Sequence, residues 1–221
     1  MNKMTDLANS LLTRALLKRI AHLLSGHVSI HIPLKHPRPI RVLEGAKRVP
    51  KGSVDEIHTF VVTFAAPVFT SSCGKLARSG IGNPQQAGLV LLIKSLDGKS
   101  LYVEVERPSK GPESIRVSTG SVASDLEKAV NRSKASEDSR RKKSEIRILR
   151  ISAMHLSAVW RHIPAYPESD RIVPYTANFV GVRKGSAYSL RRADSILRNA
   201  AIQTILRWYE RYQNELGVQS R

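Results

Sequence analysis

Histidines are the side chains of this sequence whose clustering first suggests chemistry. Four of the seven fall in one short stretch, at His22, His27, His31 and His36. A metal site would need them to converge, but the nearby acids are only Asp6 and Glu44, and no cysteine joins them. On one face of a strand, His27 and His31 would lie about 13 Å apart at about 3.3 Å per residue. We therefore predict a His-rich basic loop and no metal site.

The nucleophile and phosphate-loop patterns are equally incomplete. The segment SGIGNP at 79–84 contains G-x-G, but no third glycine follows, and a proline and two glutamines replace the start of a helix. Neither the dinucleotide fingerprint nor the G-x-x-x-x-G-K-S/T loop occurs. Cys73 follows two serines with no visible base, so we predict a buried structural thiol. We predict no cofactor.

Acids that could serve in general acid–base catalysis are few. Glu104 and Glu106 alternate along a strand, where we expect them on its wet face. Asp55, Glu56 and His58 stand at a strand entrance, a usual place for polar residues. A Ser-His-Asp group can still assemble in space from distant positions. Whether the chain is an enzyme stays open; we favour a non-catalytic role and assign no catalytic residue.

Positive charge is the most unusual property of the chain. The 36 Lys and Arg residues exceed the 18 acids and give a formal net charge of +18. The surplus is eight in residues 1–52, five in 132–150 and five in 183–221, while 53–131 and 151–182 are neutral. Basic segments around a neutral core are typical of a protein that binds a polyanion or an anionic surface. The alternative is a highly charged surface that serves solubility alone.

Three groups of basic residues are our candidate nucleic-acid contacts. They are Lys35, Arg38 and Arg41; Arg140, Arg141, Lys142 and Lys143; and Arg191, Arg192, Arg198 and Arg207. The third group belongs to a C-terminal helix that also carries Trp208, Tyr209 and Tyr212. These rings could stack on bases. At helical spacing we favour packing of the rings in the core.

These residues must be positioned by an α+β fold. We predict a mainly antiparallel sheet of about five to seven strands over 27–175, with helices near 5–24, 122–138 and 189–214. Asp97-Gly98 between two apolar runs predicts a hairpin. Ser124 and Glu127 form a capping box, and Ser189 caps the last helix. Residues 145–160 predict a central strand or a bent pair of strands.

Three segments make up the predicted domain organisation. Residues 1–26 form a basic amphipathic helix, 27–52 a Pro- and His-rich basic strap, and 53–221 a single α+β domain with a basic loop near 132–145. The leucines of the first helix need cover, and we expect it to dock on the C-terminal helix or on another subunit. A surface helix lying on an anionic membrane and a transit peptide are the alternatives.

The second half of the chain resembles an uncharacterised group of bacterial α+β proteins. IRVSTGSVASDLEKAV, EIRILRISAMHLSAVW, DRIVPY and AYS carry the resemblance, over roughly 114–200. It implies an α+β fold and a bacterial cytosolic setting, and it brings no activity or catalytic residue.

We predict a non-catalytic protein that binds a polyanion, most plausibly nucleic acid, without strict sequence preference. The alternative is a structural or adaptor protein with an acidic protein partner; an enzyme of unknown class ranks third. Homo-oligomerisation through the N-terminal helix is a further option, and a membrane surface ranks below it. The single cysteine excludes an intramolecular disulfide framework, so we expect a cytoplasmic protein.

Overall fold

The computed structural model describes residues 14–23, 28–31, 58–82, 84–95, 100–107, 114–135, 144–177 and 181–215. Its helices are α1 (Arg14–Leu23), α2 (Cys73–Ser79), α3 (Ser121–Ala135) and α4 (Leu190–Glu215). Its strands are β1 (Val28–His31), β2 (His58–Thr70), β3 (Gln85–Ser95), β4 (Ser100–Glu106), β5 (Ser114–Thr119), β6 (Glu145–Ile151), β7 (Leu156–His162), β8 (Arg171–Thr176) and β9 (Tyr188–Ser189). None of the helices described is both long and apolar enough to span a membrane.

The strands pair in the order β5-β4-β3-β2-β6-β7-β8-β9, and β1 pairs with β2 as well. The pairs β3–β4, β4–β5, β6–β7, β7–β8 and β8–β9 are antiparallel, whereas β1–β2 and β2–β6 are parallel. The predicted α+β fold with a mainly antiparallel sheet is confirmed, and the sheet has more strands than expected. The chain groups into two compact units, one of residues 1–67 and 87–124, the other of 68–86 and 125–221.

The first unit has its core between α1 and strands β2 to β4. Leu16 and Ile20 of α1 are buried with Val62 of β2, with alternate residues of β3 and β4, and against partly buried Val117 of β5. Docking of the N-terminal helix on the C-terminal helix is therefore wrong for the part described: its apolar stripe covers strands of its own unit. Residues 1–13 and 24–27 lie outside the described part of the chain.

The β3–β4 hairpin confirms the prediction made from Asp97-Gly98, although the turn itself lies outside the described residues. Register pairs run from Gly88↔Glu106 to Lys94↔Ser100. Gly88 is required here, because an added Cβ would overlap the carbonyl oxygen of Val105. The expected exposed face of β4 is wrong at Glu104, which is buried. Its neighbours on that face, Tyr102 of β4 and Val90 of β3, are buried too, so both faces of β4 are covered there.

The second unit has its core where α2 and α4 pack on β6, β7 and β8. Cys73 and Leu76 of α2 meet Ala193, Leu197 and Ala201 of α4. The core is completed by two residues of β6, Leu149 and Ile151, and two of β7, Leu156 and Ala158. Residues 145–160 are thus a bent pair of strands, β6 and β7, joined by a 3-10 turn at Ser152–Met154.

Helix α2 was not predicted, since glycines and serines around it resemble a loop. Ser72 caps it by accepting a hydrogen bond from the Lys75 backbone N–H at 3.2 Å. Helix α3 begins at Ser121, three residues before the predicted cap at Ser124, because Gly120 adopts φ 85° and turns the chain directly after β5. Ser189 caps α4 as predicted, through the Arg192 N–H at 3.4 Å.

Candidate nucleic-acid interface

Most of the predicted basic contacts lie outside the described residues. These are Lys35, Arg38, Arg41, Arg140, Arg141, Lys142 and Lys143. The four predicted residues of the C-terminal helix are described, and all belong to α4. Arg191, Arg192 and Arg207 are exposed, and Arg198 is half-buried.

Helix geometry separates the four arginines of α4. At about 100° per residue, Arg191 and Arg198 project from one face, because they are two turns apart. Arg192 lies about a quarter-turn away, and its guanidinium sits 5.7 Å from the Tyr188 ring centroid. Arg207 projects from the opposite side of the helix. The structure therefore brings Arg191 and Arg198 to one face and leaves Arg207 apart.

Asp194 fixes the position of that face beside the end of α2. Its carboxylate accepts the Ile81 backbone N–H at 2.6 Å and faces the Arg198 guanidinium at 3.5 Å. Gly80, with φ 68°, ends α2 against this carboxylate, and an added Cβ would overlap it. Arg191 and Arg198 flank Asp194 at i−3 and i+4, so they share the side of α4 that meets α2.

Two further exposed cations come from α2, Lys75 and Arg78. The sequence pattern predicts a loop over 71–86, and for that reason these two residues were missed. We define the α2/α4 basic surface as Lys75, Arg78, Arg191, Arg192 and Arg198. Within α2 and residues 190–201 of α4, these five basic residues stand against one acid, Asp194. The carboxylate of that acid is already occupied by Ile81 and Arg198.

The aromatic residues near the end of α4 are not in the core. Trp208, Tyr209 and Tyr212 are all more than half exposed, so the expectation of core packing is wrong. The reason is that the packed part of α4 ends at Ala201, its last buried residue. From 202 to 215 the helix has two arginines and two glutamates, and therefore no charge surplus.

A buried carboxylate on the second unit is a site that the sequence did not reveal. Asp170 is 0% exposed and accepts hydrogen bonds from Trp160 Nε1 at 2.7 Å and from the Ile163 N–H at 2.8 Å. His162 Nδ1 lies 2.8 Å from its Oδ2. Trp160 and His162 share one face of β7, and that i, i+2 spacing was the available signal.

The His162–Asp170 pair resembles the orienting half of a catalytic triad, because a carboxylate on Nδ1 fixes the ring. A triad would also need a nucleophile on the other ring nitrogen. Beside the pair, the Arg147 guanidinium stacks on Phe69 and Trp160, at 4.9 and 5.2 Å from the ring centroids, and binds Glu145 at 2.8 Å. These contacts hold β6, β7 and the turn before β8 together, which is a structural role.

Metal binding and cysteine nucleophilic chemistry find little support in the described part of the chain. Among those residues, no three His, Cys, Asp or Glu side chains are grouped as they would be around a metal ion. Cys73 is buried, and burial raises the pKa of its thiol above the ordinary value. The thiolate that nucleophilic chemistry requires is therefore disfavoured at neutral pH.

Comparison of the chain with protein-family models, with curated proteins and with solved structures gave no match.

Proposed function

We propose that the protein binds nucleic acid through phosphate contacts, without strict sequence preference, and that the α2/α4 basic surface is part of the contact. The observation that carries the proposal is the five-to-one excess of basic residues over acids on α2 and on residues 190–201 of α4, two helices that pack together. It adds to the net charge of +18 for the whole chain. Guanidinium groups suit phosphate because they donate several hydrogen bonds in a fixed plane.

Phosphate recognition explains the pattern better than base reading. The surface presents long basic side chains from exposed positions, and such contacts position a nucleic acid without reading its sequence. A chain with a single cysteine is compatible with a reducing compartment, and a cytoplasmic location is part of the proposal. The predicted contacts at Lys35, Arg38 and Arg41 and at 140–143 belong to this proposal as further phosphate ligands.

The first test is fluorescence anisotropy of the full chain with labelled DNA and RNA at low salt. We expect binding at micromolar protein or below, and a steep loss of affinity as salt rises, because phosphate neutralisation releases counterions. Removing one basic side chain that binds a phosphate should reduce the slope of log K against log salt by about 0.9 on duplex DNA.

Charge-reversal variants localise the contact. Lys75→Glu with Arg191→Glu should weaken binding by at least about tenfold at low salt and reduce the salt slope by about 2. Lys128→Glu with Arg116→Glu is the matched control, since both residues are exposed, both lie in the neutral segment 53–131, and the net charge changes equally. Replacing Arg140, Arg141, Lys142 and Lys143 by Ala should weaken binding to every sequence alike.

Three outcomes would contradict the proposal in different ways. No binding at micromolar protein removes nucleic acid as the ligand. Equal weakening by the two charge-reversal pairs removes the α2/α4 basic surface as the contact. A partner that is captured from lysate in equal amount with and without nuclease favours an acidic protein instead.

A further inference from the structure

The end of α4 presents a continuous apolar surface that the rest of the described chain does not cover. Six large side chains there are between 36 and 61% exposed: Ile202, Ile205, Leu206, Trp208, Tyr209 and Tyr212. We call them the α4 stripe. They follow directly after Ala201, the last residue of α4 that is buried.

The spacing of these residues places them on one side of the helix. Ile202, Ile205, Tyr209 and Tyr212 repeat at intervals of three, four and three, which is the a/d spacing of helices that pack lengthwise. Leu206 and Trp208 widen the stripe on its two flanks. A helix partner, running along this face, would cover all six.

The area is that of a small specific interface. An aromatic side chain buries about 150–250 Å² when fully covered, so three rings that are more than half exposed offer roughly 250–450 Å². The three aliphatic side chains extend this toward the roughly 600 Å² per partner at the lower limit of specific interfaces. Tyrosine and tryptophan are also the residues that most often dominate binding energy at protein interfaces.

Charge distinguishes among candidate partners. Residues 202–215 carry Arg207 and Arg211 against Glu210 and Glu215, in a chain whose net charge is +18. A nucleic acid or an acidic protein would be drawn to a surplus of positive charge, which this segment lacks. Two strongly basic copies, in contrast, can meet here without placing a surplus of like charge face to face.

The stripe is also complementary to itself. In an antiparallel two-fold pairing centred at 207, position 202 faces 212, 205 faces 209 and 206 faces 208. Each isoleucine then lies opposite a tyrosine, and Leu206 lies opposite Trp208, so large and small side chains alternate across the interface.

The same register keeps like charges apart. Glu210 faces Thr204, and Arg211 faces Gln203. Arg207, at the centre, projects to solvent from the opposite side of the helix. A parallel pairing would instead bring Glu210 and Arg211 level with their own copies, where like charges repel.

We propose that the α4 stripe is the interface of a homodimer, formed by antiparallel packing of residues 202–212 against the same residues of a second copy. This proposal does not depend on the nucleic-acid proposal, because the two surfaces share no residue. It places oligomerisation on the C-terminal helix, whereas the sequence had pointed to the N-terminal one.

The test is sedimentation velocity of the nuclease-treated full chain, in high salt so that repulsion between basic copies is screened. We expect a mass of twice the 24.5 kDa chain at micromolar protein. Tyr209→Glu should weaken dimerisation at least about tenfold, since it buries a charge at the centre of the interface. Asn214→Glu, which adds the same charge off the stripe, should dimerise like the wild type.

A cross-linking experiment tests the register. Oxidation of a mixture of Ile202→Cys and Tyr212→Cys should join one variant to the other, because antiparallel packing holds each residue about 15 Å along the axis from its own copy. A monomer at all concentrations, or a dimer that Tyr209→Glu leaves intact, would overturn the proposal. Cross-links only between identical variants would overturn the antiparallel register.

Discussion

Asp170 holds together three parts of the second unit with one carboxylate. Its two oxygens accept hydrogen bonds from the Trp160 indole N–H and the Ile163 backbone N–H, and one of them contacts a ring nitrogen of His162. Its own backbone carbonyl accepts the N–H of Leu190, the first residue of α4. A fully buried carboxylate is tolerated because each of its oxygens meets a donor.

Asp170→Asn should lower the free energy of unfolding by about 3 kcal/mol, although the two side chains have the same shape. The asparagine NH₂ group would face donors where the native oxygen accepts, and it would leave at least one of them unsatisfied. Urea unfolding followed by circular dichroism measures the loss. Glu168→Gln, two residues away and exposed, is the control and should stay within about 0.5 kcal/mol of the wild type. Equal stability of Asp170→Asn and this control would contradict the structural role.

Cys73 gives a second prediction at the scale of one residue. Because burial raises the pKa of the thiol, a thiol reagent at neutral pH should modify native protein at least about tenfold more slowly than urea-unfolded protein. The folded state holds the thiol proton more tightly than the unfolded state does. The resulting stability is therefore present below the ordinary pKa of 9.0 and is lost as pH rises through the folded value.

Unfolding measured across that alkaline range checks the sign of the linkage. The wild type should lose stability more steeply than Cys73→Ala, whose curve lacks this contribution. Parallel curves, or rapid modification of the native protein, would show that the thiol is accessible.

At the scale of elements, the helices show what local pattern can and cannot decide. The apolar periods correctly located α1, α3 and α4, and Asp97-Gly98 correctly located the β3–β4 hairpin. The pattern did not reveal α2, since a seven-residue helix between serine and glycine carries little periodicity. It also misplaced Trp208, Tyr209 and Tyr212, because amphipathic spacing looks the same whether the apolar side faces a core or a surface.

Docking of α1 is testable with a pair of substitutions on one helix. Ile20 is fully buried against the strands of the first unit, whereas Leu23 is 56% exposed. Ile20→Ala should lower the free energy of unfolding by about 2–4 kcal/mol, because the substitution removes buried apolar atoms and leaves a cavity. Leu23→Ala should change it by less than about 0.5 kcal/mol. If both variants unfold like the wild type, α1 does not pack as described.

For the whole molecule, the sequence pattern predicted the fold class, but not the division of the chain. Most of the strands lie in the two segments without net charge, 53–131 and 151–182, as their composition suggested. The two compact units are not visible in the sequence because neither is a continuous segment. The α2/α4 basic surface was equally hidden, since Lys75 and Arg78 precede Arg191 by more than a hundred residues.

The chain passes between its two units three times, after residues 67, 86 and 124. These passages fall inside β2, β3 and α3, respectively. Because of this interleaving, an early segment of the second unit must wait during synthesis for the later segment on which it packs. Ile81 meets its acceptor Asp194 only after 113 further residues have been added, and at about 5–20 residues per second that takes roughly 6–23 s. Until then the apolar side of α2 lacks the cover that α4 provides, and the nascent chain is open to chaperone capture in that interval.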